Sequence, residues 1–342
     1  MREQFGVLSL GQCGGNIGKE FEDLGYTTVY VNTSKEDLST IKGTHKIHIP
    51  GADGVAKDRK RVLQLASEHI GDIVEKITTL LPQKYIICTF SASGGTGSGL
   101  SVPLMAYLAQ IGRVCSPAMV LPNDAIESAK ACENAYNACV EVMGIKNLGA
   151  TFLLDNSKYD KFAINGKFAR ELDAFICLKN VSMYGNIDKA ERKQVLSCPG
   201  VIVVGKSSKT KSTAPEMVES LHNGIYAEVE SKSAYYLAIS TSNRSLDTNS
   251  ISKEFSGVYD LFSGISESSS IVVVAGLQFP QKRILRFKNK FEETVKTMND
   301  ISAMHSFEPL ESLKGLSFTP TAIQPQAPTS PRDILMGLLG NN

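Results

Sequence analysis

The sequence predicts an α/β protein: a doubly wound parallel sheet in the first half, a central helix, a smaller mixed α/β second domain, a long C-terminal helix and a flexible tail. Three observations lead there. Short apolar runs alternate with helical patterns through residues 1–155, the signature of strand–helix–strand units. Glycine-rich segments fall directly behind two of those runs. From about residue 306 the chain turns to Pro, Ser, Thr and Gln, a composition that cannot pack a core.

The elements follow in order. Phe5–Leu10 reads as a strand and leads into Gly11-Gln-Cys-Gly-Gly-Asn-Ile-Gly18 and an amphipathic helix start. Thr27–Val31 and Lys46–Ile49 are further strands, and Val62, Leu65, Ile70, Ile73, Val74, Ile77 and Leu80 mark a helix over 58–81. Tyr85–Phe90 is a strand, followed by Ser91-Ala-Ser-Gly-Gly-Thr-Gly-Ser-Gly99 and a helix to about 112. Ala118–Leu121, a helix over 126–142 and Thr151–Leu154 close the series. A continuous helix is expected from Ile164 to Met183, apolar around much of its axis and so buried between two units. Strands at 200–204, 235–239 and 271–277, with helices near 215–227 and 250–264, form the second domain; a basic amphipathic helix covers 282–301.

Composition excludes several classes. With 342 residues, 42% hydrophobic and 21% charged, the chain can hold two cored domains. A net charge of +1 gives no global drive toward nucleic acid. No apolar run approaches the roughly 18 residues of a spanning helix, and Met1-Arg-Glu-Gln enters a strand directly, so neither membrane insertion nor a signal peptide is expected. Seven scattered cysteines without metal-ligand pairs suggest reduced thiols in the cytoplasm.

In doubly wound sheets, ligands sit at the carboxyl ends of the strands, where the glycine-rich segments lie. Four glycines in Ser91–Gly99 let backbone N–H groups turn toward an anion, and the following helix start adds donors and a favourable dipole. A phosphate cradle at Ser93, Gly94, Gly95, Thr96, Gly97 and Ser98 is the functional reading; a flexible turn uses the same residues. No Gly-Lys-Ser/Thr follows, so this is not a P-loop, and Gly11, Gly14, Gly15 and Gly18 do not fit the dinucleotide fingerprint.

The Ser91–Gly99 loop resembles the signature of the tubulin/FtsZ superfamily of filament-forming GTPases, and other segments match in order. Gly11, Gln12, Cys13 and Gly14 are similar to the first nucleotide loop of tubulins, and Gly-Gly-Asn16 to that of FtsZ. By resemblance Asn16 contacts guanine, and Asn32-Thr33 stands where FtsZ carries the same pair. Gly51-Ala-Asp-Gly54 falls where the family senses the γ-phosphate; Asp53 there is a candidate water-mediated Mg²⁺ ligand, although an Asp-Gly turn needs no ligand. Asn123 and Glu127 lie in the ribose-facing loop, with Lys130 where FtsZ has an arginine. Asn156 matches the asparagine that reads the guanine edge, a job suited to an amide's paired donor and acceptor. Asn165 and Phe168 stand at the base-stacking end of the central helix, and the short Asn156–Asn165 spacing implies that a helix of tubulin and FtsZ is missing.

Tyr184-Gly-Asn-Ile-Asp-Lys-Ala-Glu191 resembles the family's catalytic loop, with Asn186, Asp188 and Glu191 in the matching positions. In the family this loop enters the neighbour's nucleotide site and orients the attacking water. Acidic residues are also favoured at any helix start. The resemblance therefore implies GTP/GDP with Mg²⁺, hydrolysis that depends on head-to-tail self-assembly, and boundaries of 1–163 for the GTP-binding domain, 164–184 for the central helix, 185–280 for the second domain, 281–305 for the C-terminal helix and 306–342 for the tail.

The mixture of motifs and the long terminal helix are most like the plasmid and phage TubZ group, which positions or segregates DNA, often through a DNA-bound adaptor. Such an adaptor would engage the terminal helix or tail; direct nucleic-acid binding is not expected. Ser330–Gly340 reads as a recruitment peptide, a piece docking on the adjacent subunit, or a cap on its own domain. A divergent FtsZ of cell division and a non-polymerising nucleotide enzyme are the alternatives.

Overall fold

The computed structural model describes residues 1–179, 185–207, 212–231, 233–266 and 269–304. The tail at 306–342, Tyr184 and the end of the expected central helix lie outside them. Strands β1 (Phe5–Leu10), β2 (Thr27–Asn32), β3 (His45–His48), β4 (Tyr85–Ser91), β5 (Val114–Leu121), β6 (Ala150–Asp155), β7 (Gly200–Ser207), β8 (Ser233–Thr241), β9 (Gly257–Ile265) and β10 (Ser270–Leu277) join one sheet in the order β3-β2-β1-β4-β5-β6-β7-β10-β8-β9. Pairing is parallel from β3 to β7, then antiparallel at β7–β10 and β10–β8, and parallel again at β8–β9. The two halves share one sheet, joined where β6 meets β7 at Ala150–Gly200 and Thr151–Val201.

The helices are α1 (Gly11–Asp23), α2 (Lys35–Thr40), α3 (Arg59–Leu80), α4 (Thr96–Gln110), α5 (Ala129–Gly144), α6 (Ala163–Ile176), α7 (Lys189–Leu196), α8 (Ala214–His222), α9 (Thr248–Ser252) and α10 (Gln281–Met304). Strands β1, β4, β5 and β6 are almost wholly buried apolar runs, as a sheet covered on both faces requires. α1 lies on this sheet at very short range: a Cβ on Gly14 would sit 2.2 Å from the Thr89 carbonyl oxygen, and one on Gly18 2.0 Å from the Ser9 hydroxyl. The glycines at this spacing are therefore the contact between helix and sheet.

Three elements differ from the sequence expectation. The central helix ends at Ile176 instead of running to 183–184. Arg192 from α7 donates to the carbonyl oxygens of Ile176 and Leu178, so the exposed helix end is satisfied by a side chain and the chain turns away. The helix expected at 250–264 is one turn, α9, followed by strand β9 parallel to β8. Ile251 and Phe255 are buried four apart, which imitates a helix, but the Gly257–Ile265 stretch holds Val, Tyr, Phe and Ile, which suit a pleated edge. Finally, α10 packs against α5 by burying Ile284, Phe287 and also Arg283, whereas Leu285 is exposed. Its basic residues are thus not all on a solvated face. No helix among the described residues is long and apolar enough to cross a membrane.

Candidate functional site

Two strands end side by side and hand over at once to helices. β1 stops at Leu10 and α1 starts at Gly11; β4 stops at Ser91 and α4 starts at Thr96 after the glycine-rich turn. Gly11 takes a positive φ of 70°, and a Cβ on it would sit 3.0 Å from the Gly97 amide nitrogen. A Cβ on Gly97 would sit 2.8 Å from the Leu10 carbonyl oxygen. Only glycines let the two helix starts approach this closely. Neither start has a side-chain cap, so unclaimed backbone N–H groups and two positive dipole ends face the same space.

That space is a cavity of about 360 Å³. It gathers Gly11, Gln12 and Cys13 with Asn32 and the run Gly94–Gly97, all of them expected from the sequence. The turn is firmly held. Buried Asn134 on α5 donates to the carbonyl oxygens of Lys57, Ser93 and Gly94 at 2.9, 3.3 and 3.2 Å. The Ser98 hydroxyl donates back to Gly94, and Thr33 and Thr96 hydroxyls share a 2.9 Å hydrogen bond. Ser93 and Ser98 thus shape the cradle without lining it. Gly14 faces β4 and not the cavity, while Asn16 is exposed one turn beyond Gln12 on the same face of α1.

The loops after β5 and β6 stand beside this cavity in the sheet order. The Asn123 side chain accepts from the Ala125 N–H, and the Glu127 N–H donates to the Asn123 carbonyl, closing a turn. Lys130 pairs with Glu133 at 2.7 Å, and Glu127 has Lys57 at 3.6 Å. Asn156 follows β6, and its side-chain oxygen is buried with no hydrogen-bond partner among the described residues. Residues 156–162 are turns with no helix, in keeping with the short spacing to Asn165, which is buried in the first turn of α6. Phe168 is a correction. Its ring is fully buried, edge-to-face with Phe21 at 5.6 Å and Phe152 at 5.2 Å, so it is part of the core and offers no face to a base. Asp53 is exposed and outside the cavity wall; the carboxylate on that wall is Asp37, which accepts from Asn32 at 3.0 Å. Among the described residues there is no cluster of three or more metal-ligating side chains.

Sequence reasoning missed Arg283. From α10 its guanidinium reaches Asp155 at 2.7 and 2.9 Å, Asp124, and the Pro122 carbonyl at 2.6 Å. One buried cation therefore ties the loops after β5 and β6 to the terminal helix. Burial pushes the Asp155 carboxyl up, but the Arg283 hydrogen bonds and charge, helped by Ser157, outweigh it and hold it below the usual range. Burial likewise opposes the Arg283 charge, and the two aspartates override it. The signal in the sequence was an aspartate shortly after β5, another at the end of β6, and a basic helix later in the chain.

The acidic loop lies elsewhere. Asp188 caps α7, accepting from the Ala190 and Glu191 N–H groups, while the Glu191 carboxylate accepts from the Asp188 N–H at 2.7 Å. Asn186 and Asp188 are exposed. α6 runs back from the cavity end of β6 to the foot of the sheet, where Asp173 binds Arg2 beside the start of β1 at 2.7 Å. Fourteen residues of α6 separate the two ends by about 20 Å. Cavity and acids thus occupy opposite ends of one subunit.

Residues 4–163, the part that builds the cavity, match the family described as Tubulin/FtsZ family, GTPase domain. This segment resembles a tubulin/FtsZ-family GTPase domain. Over most of its length the chain is 27% identical, across 317 residues, to the tubulin-like protein TubZ of Clostridium botulinum C phage, covering 89% of this chain and 87% of that protein. The crystal structure of C. botulinum phage c-st TubZ superposes with a TM-score of 0.78 at 25% identity, over 87% of this chain and all of that one. A GTPγS-form protofilament of Bacillus thuringiensis TubZ shares the fold, with a TM-score of 0.74 at 18% identity over 87% and 94% of the two chains. The tubulin/FtsZ fold thus extends well past residue 163, through the strands and helices that carry Asn186, Asp188 and Glu191.

Proposed function

We propose that this chain is a GTPase that assembles head-to-tail into filaments, each GTP site being completed by the Asn186–Glu191 loop of the next subunit. The observation that carries this is the separation of cavity and acids to opposite ends of one subunit, a distance no side chain spans. A contact between unlike ends propagates instead of closing, which agrees with the protofilament seen for the B. thuringiensis relative. The glycine cradle and both helix starts hold the phosphates; Asn156 with its unpartnered oxygen, Asn165 and Asn16 serve the base; Asn123 and Glu127 serve the ribose. Asp188 and Glu191 position the water, the main requirement of phosphoryl transfer. Mg²⁺ accompanies the phosphates in this reading, with Asp37 on the cavity wall placed to hold it through water. Residues 1–163 bind nucleotide, residues 185–280 present the acids, and α10 or the tail engages a DNA-bound adaptor in partition or positioning of plasmid or phage DNA.

Mixing two inactive variants tests the shared site. Gly95→Leu fills the cradle, since even its Cβ would sit 2.7 Å from Val55 and 3.0 Å from the Lys57 Cα; Glu191→Gln removes the acid. Each alone should be inactive, and an equimolar mixture should regain GTP turnover, because a Gly95→Leu subunit still lends its acids to a neighbour's GTP. A mixture no more active than its components, with copolymer formed, would contradict the reading.

A further inference from the structure

The cradle has no lysine of its own, yet a nucleoside triphosphate brings several negative charges. Among the described residues lining the cavity, Lys57 is the one basic side chain. It stands on a segment built for close approach. Ala56 and Lys57 both take positive φ, 45° and 66°, a left-handed pair that non-glycine residues adopt only where the surroundings enforce it. Here they do. Asn134 holds the Lys57 carbonyl together with those of Ser93 and Gly94, Asp58 returns a 2.8 Å hydrogen bond to Val55 and caps α3, and the Lys57 backbone lies against Gly95. The side chain is half-exposed, with its ammonium 3.6 Å from Glu127, so an ordinary surface pair holds it and an entering anion can replace the partner at little cost.

We propose that Lys57 is the cationic ligand of the nucleotide's phosphate chain, supplied from the turn before α3 and leaving Glu127 for the phosphates on binding. This rests on the nucleotide reading of the cavity. Its consequence is a charge contribution that depends on residue 57 and not on the shape of the turn.

The test is the affinity of the full-length protein for GTPγS, with Lys57→Met, Lys57→Arg and Lys76→Met. Lys76 is exposed on the far part of α3. A charge-assisted contact predicts that Lys57→Met weakens binding roughly ten- to hundredfold. Lys57→Arg should stay within about threefold, and Lys76→Met should not change. The Met variant should also flatten the salt dependence of binding by about one counterion, while its melting temperature without nucleotide stays that of the wild type. Wild-type affinity in Lys57→Met, or equal losses in the Met and Arg variants, would overturn the assignment of Lys57 while leaving the nucleotide site intact. Failure of the folded wild-type protein to bind GTPγS would overturn the nucleotide reading itself, a result distinct from either.

Discussion

Replacing Glu191 by glutamine is expected to lower GTP turnover by roughly 10²- to 10⁴-fold, the usual worth of a positioned acid–base group, while GTP-dependent assembly persists. Glutamine is the informative choice because Glu191 also closes a capping box with Asp188. An amide oxygen can still accept from the Asp188 N–H, so α7 keeps its start and only the carboxylate is lost. Alanine would remove both and confound loss of chemistry with a frayed helix. The capping box shows why the acidic pattern alone was ambiguous: Asp188 and Glu191 satisfy the helix in the free subunit, and the proposed water-positioning role would arise only against a neighbour's nucleotide. Turnover and pelleted polymer measured on the same samples check the expectation. Normal turnover in Glu191→Gln would remove the loop from the mechanism.

The second large effect is expected at Arg283. Substitution by methionine keeps much of the volume but strands Asp155, which is 1% exposed. Breaking a buried pair from one side typically costs about 3–5 kcal/mol, so urea unfolding should show a loss of that order. Because the same guanidinium holds Asp124 and the Pro122 carbonyl, the loops carrying Asn123, Glu127 and Asn156 should lose their fixed positions, and nucleotide affinity should fall with stability. The pH dependence has a definite sign. Asp155 is held below its ordinary value in the folded protein, so its contribution is present above the unfolded carboxylate pKa near 4 and is lost as pH falls through the lower folded value. The gap between wild type and Arg283→Met should therefore be widest near neutral pH and close below about pH 4. A constant gap would mean that packing alone is at stake.

Most of the nucleotide half was legible because its signals are local. Apolar runs for β1, β4, β5 and β6, and glycines where two helix starts meet, follow from chain geometry within a few residues. What escaped depends on distant partners. The early end of α6 needs Arg192 from the next helix, and the burial of Arg283 needs aspartates more than a hundred residues away. β9 hid behind a helical spacing of Ile251 and Phe255 that ends at Gly257. Phe168 carried a true helical signal, but which face of α6 met the core was set by Phe21 and Phe152, from elements a one-dimensional pattern does not pair. Gly14 belongs to the segment that resembles a nucleotide loop, and its close contact is with Thr89 of β4; a glycine needed for packing and one needed for a ligand look alike in sequence.

The central claim is that one subunit cannot complete its own GTP site. The most direct measurement is GTP turnover per subunit against protein concentration, with light scattering recorded on the same samples. The account predicts negligible turnover below a critical concentration and a shared threshold above which both signals rise. Turnover per subunit that is constant across the whole range, with no scattering, would contradict it and mark a self-contained enzyme.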